Sequence, residues 1–162
     1  MAEEQQAAES NQQPGFSIEK IYVKDLSLES PNAPAVFMQR EAPQVSVELG
    51  NTATRLDEGV YEVVLTVTVT SKIEDKTVFL VEVAQAGIFQ VRNIPQENLE
   101  MIVSVTCPNI LFPYAREAVS DLITRGGFPP VLLSPINFEA LFAQQKQQAV
   151  AAAASADDTT TH

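Results

Sequence analysis

From Tyr61 to Thr70 the chain reads YEVVLTVTVT, and its side chains sort into two sets by strict alternation. Tyr61, Val63, Leu65, Val67 and Val69 form one set; Glu62, Val64, Thr66, Thr68 and Thr70 form the other. Successive side chains leave a strand on opposite faces, so a period of two with this much β-branching demands an extended strand. Val45, Val47 and Leu49 alternate with Ser46 and Glu48 in the same way. Thr77 to Phe89 predicts another long strand, whose VFLVEV segment is apolar on both faces except at Glu82. The KIEDK segment, Lys72 to Lys76, is a short polar turn between the two. Phe16 to Leu28 predicts a further strand that mixes apolar and charged positions, which suits an edge or a surface that meets a partner.

The period then changes. Pro95 sits where a first helical residue is expected, with Leu99, Ile102 and Val103 on one face. Pro108 is expected to stop or kink that helix. A second helical piece, Tyr114 to Arg125, carries Ala115, Ala118, Val119, Leu122 and Ile123 on one face and ends at Gly126-Gly127. Three closely spaced prolines keep FPPVLLSP extended, and Ser134-Pro135 is expected to begin a last helix bearing Phe138, Leu141 and Phe142. Strands followed by helices give an α+β fold with a four-stranded antiparallel sheet. Helices cover one face of such a sheet, so a strand apolar on both faces implies a homo-oligomer.

The ends differ from the body. Residues 1–15 are Gln, Ala, Glu and Ser with no large apolar residue but Met1, and residues 144–162 run from QQKQQ through an Ala-rich stretch to DDTTT. Neither buries enough to offset the entropy of ordering, so both are expected to be mostly disordered, although Gln and Ala could prolong a preceding helix. The folded domain is therefore expected over residues 16–143. The net charge is −11; the ends account for −4 of it (Glu3, Glu4, Glu9, Asp157 and Asp158 against Lys146), which leaves the body at −7. That excess argues against nucleic acid or an anionic membrane surface and favours a basic protein partner, or solubility alone. One cysteine forbids an internal disulfide, no signal-peptide pattern opens the chain, and no run approaches the ~18 apolar residues of a spanning helix. The expectation is a soluble cytoplasmic protein.

The inventory for catalysis is poor. His162, at the end of the tail, is the only histidine, so Cys107 has no positioned base and reads as a small buried hydrophobe. No zinc or EF-hand spacing occurs, and no phosphate-binding glycine motif; neither a metal nor a cofactor is expected. The prominent feature is apolar surface near helix breaks. Phe112, Pro113 and Tyr114, with Phe128 and the Val36-Phe37-Met38 segment of the proline-rich Glu29–Pro43 loop, could wall a groove or simply close the core.

CPNILFPYARE (Cys107–Glu117) followed by RGGFPPVLLSPINFEALF (Arg125–Phe142) resembles the SecB family of bacterial protein-export chaperones. IYVKDLSLESPNAP (Ile21–Pro34), VYEVVLTVTVT (Val60–Thr70) and GIF (Gly87–Phe89) agree in order and spacing. The resemblance runs from about Phe16 to Phe142. It implies a four-stranded antiparallel sheet with two helices per subunit, assembled as a dimer of dimers. It implies a chaperone without ATPase activity that holds unfolded preproteins and hands them to the motor ATPase SecA. A groove walled by Val36, Phe37, Phe112, Tyr114, Phe128, Phe138, Leu141 and Phe142 would take the client. By motif match, Asp25, Glu29, Leu80 and Glu82 would contact a basic segment of SecA; Val81 and Val83, on the face opposite Glu82, are expected to pack dimer on dimer. Glu41 stands where some relatives carry tryptophan. The alternative functions are a small apolar-ligand or lipid-binding β domain and, behind it, an enzyme using an exposed Cys107.

Overall fold

The computed structural model describes residues 13–157. Four antiparallel strands, β1 (Gly15–Glu29), β2 (Gln44–Asp57), β3 (Val60–Ile73) and β4 (Lys76–Arg92), form one sheet in the order β1-β4-β3-β2. β3 and β4 are therefore central, and β1 and β2 are edges. The two hairpin turns have chemistry to match. Glu58 donates its N–H to the Asp57 carboxylate (2.7 Å), and Gly59 takes φ +67 where a Cβ would lie 2.7 Å from the Val91 carbonyl. The KIEDK turn is tighter than its sequence span, with only Glu74 and Asp75 outside the strands and Glu74 at φ +52.

Pro95 precedes a helical rod: α1 (Gln96–Met101), a π-turn (Ile102–Thr106), then α2 (Cys107–Arg125). Of the two outcomes expected at Pro108, a stop does not occur; the helix runs on, with the π-turn directly before the proline. In the π-turn the Cys107 N–H bonds the Ile102 carbonyl, five residues back. The same step would carry an N–H from residue 108 to the Val103 carbonyl, and proline has none. Asn51 of β2 supplies it instead: its Nδ2 donates to the Val103 carbonyl at 3.0 Å. Pro113 also lies inside α2; it and Asn109, whose carbonyl loses a helical partner, are both exposed, so water can replace that bond. The rod ends at Gly126 and at Gly127 (φ +88), where the Phe128 N–H closes on the Ile123 carbonyl (3.2 Å).

The last helix, α3, spans Phe138–Asp157. Its cap is Asn137 rather than Ser134: the Asn137 Oδ1 accepts the Ala140 N–H at 3.0 Å, and Ser134 and Pro135 stay in the extended segment. The segment from Gln144, expected to be mostly disordered, is helical as far as Asp157, in keeping with its Ala and Gln content. The expected N-terminal tail up to Gln12 and the last five residues lie outside the described residues.

The core lies between the sheet and the rod. Val63, Leu65, Val67 and Val69 of β3 and Val81, Val83 and Phe89 of β4 are fully buried against Leu111, Ala115, Val119 and Ile123 of α2. Each such side chain contributes about 1.5–3 kcal/mol when taken out of water. This placement corrects the expectation for Val81 and Val83. They belong to the subunit's own core and cannot pack one dimer on another. Their strand is apolar on both faces, and the helices took the face opposite Glu82.

Candidate functional site

The sheet has a covered face and an open face, and each gathers one set of the residues singled out by sequence. On the covered side the loop between β1 and β2 is tied down by two bonds to β4. Asn32 Nδ2 donates to the Thr77 carbonyl (2.8 Å) and Ser30 Oγ to the Val78 carbonyl (3.0 Å). The loop then makes a 3-10 turn, Ala35–Met38. Val36 points inward beside Ile73 and Val78 at a cavity of about 60 Å³. Phe37 stacks on Phe128 with ring centroids 5.0 Å apart, and Phe128 meets Phe79 at 5.0 Å. Phe37 is still 48% exposed, so this aromatic stack presents a ring to solvent. Gly127 has no Cβ to hold the Phe37 ring away; one built there would lie 3.3 Å from it.

A second surface, partly apolar, lies where α3 faces β2. A cavity of about 400 Å³ is lined by Val47, Leu49 and Leu65 of the sheet and by Phe138, Leu141 and Phe142 of α3, with Asn51, Ser104 and Gln145 adding polar atoms. Phe112 stands behind Phe138, edge-on at 6.0 Å, and is only 6% exposed. Lys146 of α3 ties it to α1, with its Nζ 3.1 Å from Glu100, and covers the Phe142 ring of its own helix at 4.9 Å from the centroid. The structure thus joins Val36, Phe37 and Phe128 at one surface and Phe138, Leu141 and Phe142 at another. Tyr114 is 51% exposed on α2 and lines neither cavity. Sequence reasoning missed Phe79, Val47 and Leu49. The alternation of β2 carried the signal for the last two.

On the open face, register decides what sits together. Directly opposed residues in an antiparallel pair share a face. Glu29 is opposite Leu80, Ser27 opposite Glu82, and Asp25 opposite Ala84. Asp25, Glu29, Leu80 and Glu82 therefore share the face away from the helices, and the three carboxylates are exposed. Thr68 Oγ1 donates to Glu82 Oε2 at 3.3 Å. N-terminal to the unbroken stretch from Asp25 to Glu29, β1 has a bulge at Lys24 and another at Glu19. The apolar residues of β1 on the covered side are Phe16, Ile18, Ile21, Val23, Leu26 and Leu28, and each break in their alternation coincides with a bulge. Beside the bulge, Lys24 Nζ reaches Glu62 Oε1 at 2.7 Å, and the Tyr22 hydroxyl donates to Glu62 Oε2. The Lys24 and Tyr22 bonds hold the Glu62 carboxyl below its usual range against an opposing effect of burial. Burial, with Glu62 adding to it, pushes Tyr22 up to about 12.

Catalytic chemistry finds no support at Cys107. It is buried in the core, and that burial pushes its thiol up to about 12, so it carries negligible thiolate near neutrality. Among the described residues no cluster of His, Cys, Asp or Glu could hold a metal ion.

The model of one protein family, described as preprotein translocase subunit SecB, matches residues 9–149. The chain belongs to the SecB family. Curated SecB relatives are similar along nearly their whole length. The protein-export protein SecB of Methylobacillus flagellatus is 74% identical over 147 residues, covering 91% of this chain and 93% of that one. That of Aromatoleum aromaticum is 65% identical, covering 90% of each. Among solved structures, a SecB-like chaperone of Mycobacterium tuberculosis, in complex with a peptide from an antitoxin, superposes with a TM-score of 0.62 at 19% identity, covering 75% of this chain and 90% of that one. At that identity the likeness concerns the fold. SecB is a family of protein-export chaperones and not of enzymes, in line with the inert thiol. The segment that contains Cys107 is a helical stretch of the rod whose two prolines are accommodated by the π-turn, Asn51 and solvent.

Proposed function

We propose that this chain is an ATP-independent holdase that keeps unfolded preproteins competent for translocation and delivers them to SecA. The observation that carries the reading is the exposed Phe37–Phe128 stack, with a partly apolar cleft beside α3, both open on the covered side in a chain of the SecB family. Apolar residues that gather into an open surface, and do not stand singly, mark a place where another molecule binds. Binding the unfolded chain and not the folded one shifts the folding equilibrium by mass action, with no nucleotide needed. Shallow surfaces suit clients that share no sequence, and several copies acting on one long chain add avidity.

The assembly is a homotetramer in this reading, and β1 supports it. Phe16, Ile18, Val23 and Leu26 are 38–49% exposed along an edge strand, a surface that a second copy would cover. The acidic open face, with Asp25, Glu29, Leu80 and Glu82, is the docking surface for a basic segment of SecA. The location is cytoplasmic in this reading, since a chaperone that keeps preproteins competent for translocation meets them before export.

The test is to dilute a denatured preprotein into buffer with the protein present and no nucleotide, following refolding and complex mass together. Slowed refolding, a complex containing four copies of the chain and no effect on the folded client are expected. Normal refolding without a complex overturns the reading. A small apolar-ligand or lipid-binding domain would then be next; the polar side chains of Asn51, Ser104 and Gln145 in the larger cavity weigh against it.

A further inference from the structure

Next to Asp25, the bulge in β1 delivers a cation to the open face. Lys24 is the extra residue of the bulge, adjacent to Asp25, and its side chain reaches over the same face to Glu62. A free ammonium at that position would do two things to an acidic docking surface. It would pair with the neighbouring Asp25 carboxylate, and it would repel a basic partner. In the structure the ammonium is paired with Glu62 instead. The Lys24 Nζ lies 2.7 Å from Glu62 Oε1, and the Glu62 side chain is itself only 15% exposed, so it is a poor contact for a partner. Tyr22 holds the other carboxylate oxygen and fixes its aim. Glu62 lies across β4 from Tyr22 and shares its face through the register of Tyr22 with Ala86 and of Glu62 with Ile88. Small residues Ala84 and Ala86 on β4 leave the room for these side chains to cross. The other open-face cation of β1, Lys20, is opposite Ile88, farther from Asp25 along the strand.

We propose that Glu62 is a positioning residue for the docking face: it masks Lys24 and so leaves Asp25, Glu29 and Glu82 free for a basic partner segment. The inference rests on the open face being the SecA-docking surface. It treats Glu62 as acting through Lys24 and not by touching the partner.

The experiment measures the affinity of purified SecA for five assembled proteins at physiological salt: wild type, Asp25→Lys, Glu62→Gln, Lys24→Met and the Glu62→Gln/Lys24→Met double variant. Thermal melting and client holding are recorded for each, so that an unfolded variant is recognised. Asp25→Lys tests the docking surface itself and should lose binding. Glu62→Gln should weaken binding by about threefold to fivefold, the scale of one exposed charge pair. Lys24→Met alone should bind at least as well as wild type, and the double variant should return to the wild-type value. That rescue is a result a merely structural role for Glu62 would not give. If Asp25→Lys binds like wild type, the docking surface is wrong and the inference falls with it. If Asp25→Lys loses binding while Glu62→Gln does not, or while the double variant stays as weak as Glu62→Gln, only the masking role is overturned. Weakened binding by Lys24→Met overturns it as well.

Discussion

β3 and β1 are both long strands of one sheet, yet they spend their apolar residues differently. β3 alternates without a slip, and Val63, Leu65, Val67 and Val69 disappear completely beneath α2. β1 slips twice, and four of its apolar side chains stay partly in water although they face the covered side. Unbroken alternation in a central strand reports burial completed within the chain. Broken alternation in an edge strand reports surface left for something else. The largest effect should therefore follow a charge placed in β3. Val67→Asp buries a carboxylate with no partner and should cost more than about 4 kcal/mol, a large part of a domain's whole stability. Circular dichroism should find it unfolded. Val83→Asp should behave the same way, because Val83 lies opposite Val67 in the core. A folded Val83→Asp subunit with half the assembly mass would return Val83 to the interface.

The same charge in β1 should act on assembly instead. Leu26→Glu replaces a half-exposed side chain, so the subunit should keep its stability within about 1 kcal/mol while sedimentation reports smaller assemblies. If Leu26→Glu unfolds the subunit as Val67→Asp does, the contrast between the two strands is false. If it leaves the mass unchanged, the exposed side of β1 serves something other than a second copy.

How legible each strand was follows the same contrast. The period of β3 was visible in ten letters because local alternation and final burial agree. That Asp25 and Glu29 share a face was also readable, since four residues separate them. Which face of VFLVEV the helices would take was not, because both faces are apolar and the choice depends on where α2 lands. That the helix would run on through Pro108 was hidden for a similar reason: the group that replaces its missing donor, Asn51, is distant in sequence and belongs to another element. Ser134-Pro135 is a good local start signal that Asn137 outcompeted three residues later. For the site, the aromatic residues were legible as types. Their division between two surfaces, and the absence of Tyr114 from both, required the packing.

The two surfaces give a smaller test. Phe37 is an exposed ring on a preformed stack, whereas Phe112 is buried behind Phe138. Phe37→Ala should weaken binding of a denatured preprotein by about fivefold to tenfold, the value of one aromatic contact, with little change in melting temperature. Phe112→Ala should instead destabilise the fold by about 3–5 kcal/mol and affect clients only through that loss. Equal losses of client binding at unchanged stability would place both residues at the binding surface.

The smallest effect belongs to Glu62, where β1 and β3 meet across β4. Its carboxyl is held below the unfolded value of 4.5, chiefly by Lys24 and then by Tyr22. A lowered acid contributes stability above the unfolded value and loses it as pH falls through the folded one. Tyr22 is raised from 10.0 to about 12, so its contribution is present below 10.0 and fades as pH climbs from there. Lys24 is half in water, which limits the ion pair to about 1 kcal/mol or less, or roughly 2–4 °C in melting temperature. Glu62→Gln should therefore melt slightly below wild type near neutrality. The gap should begin to narrow as pH drops below 4.5 and close once pH has fallen through the lowered folded value, where the wild-type carboxyl is neutral too. A gap that persists unchanged in acid would mean that Glu62 supports β1 by shape and hydrogen bonding alone. The masking of Lys24, which requires a charge, would then have to show itself in salt dependence of partner binding.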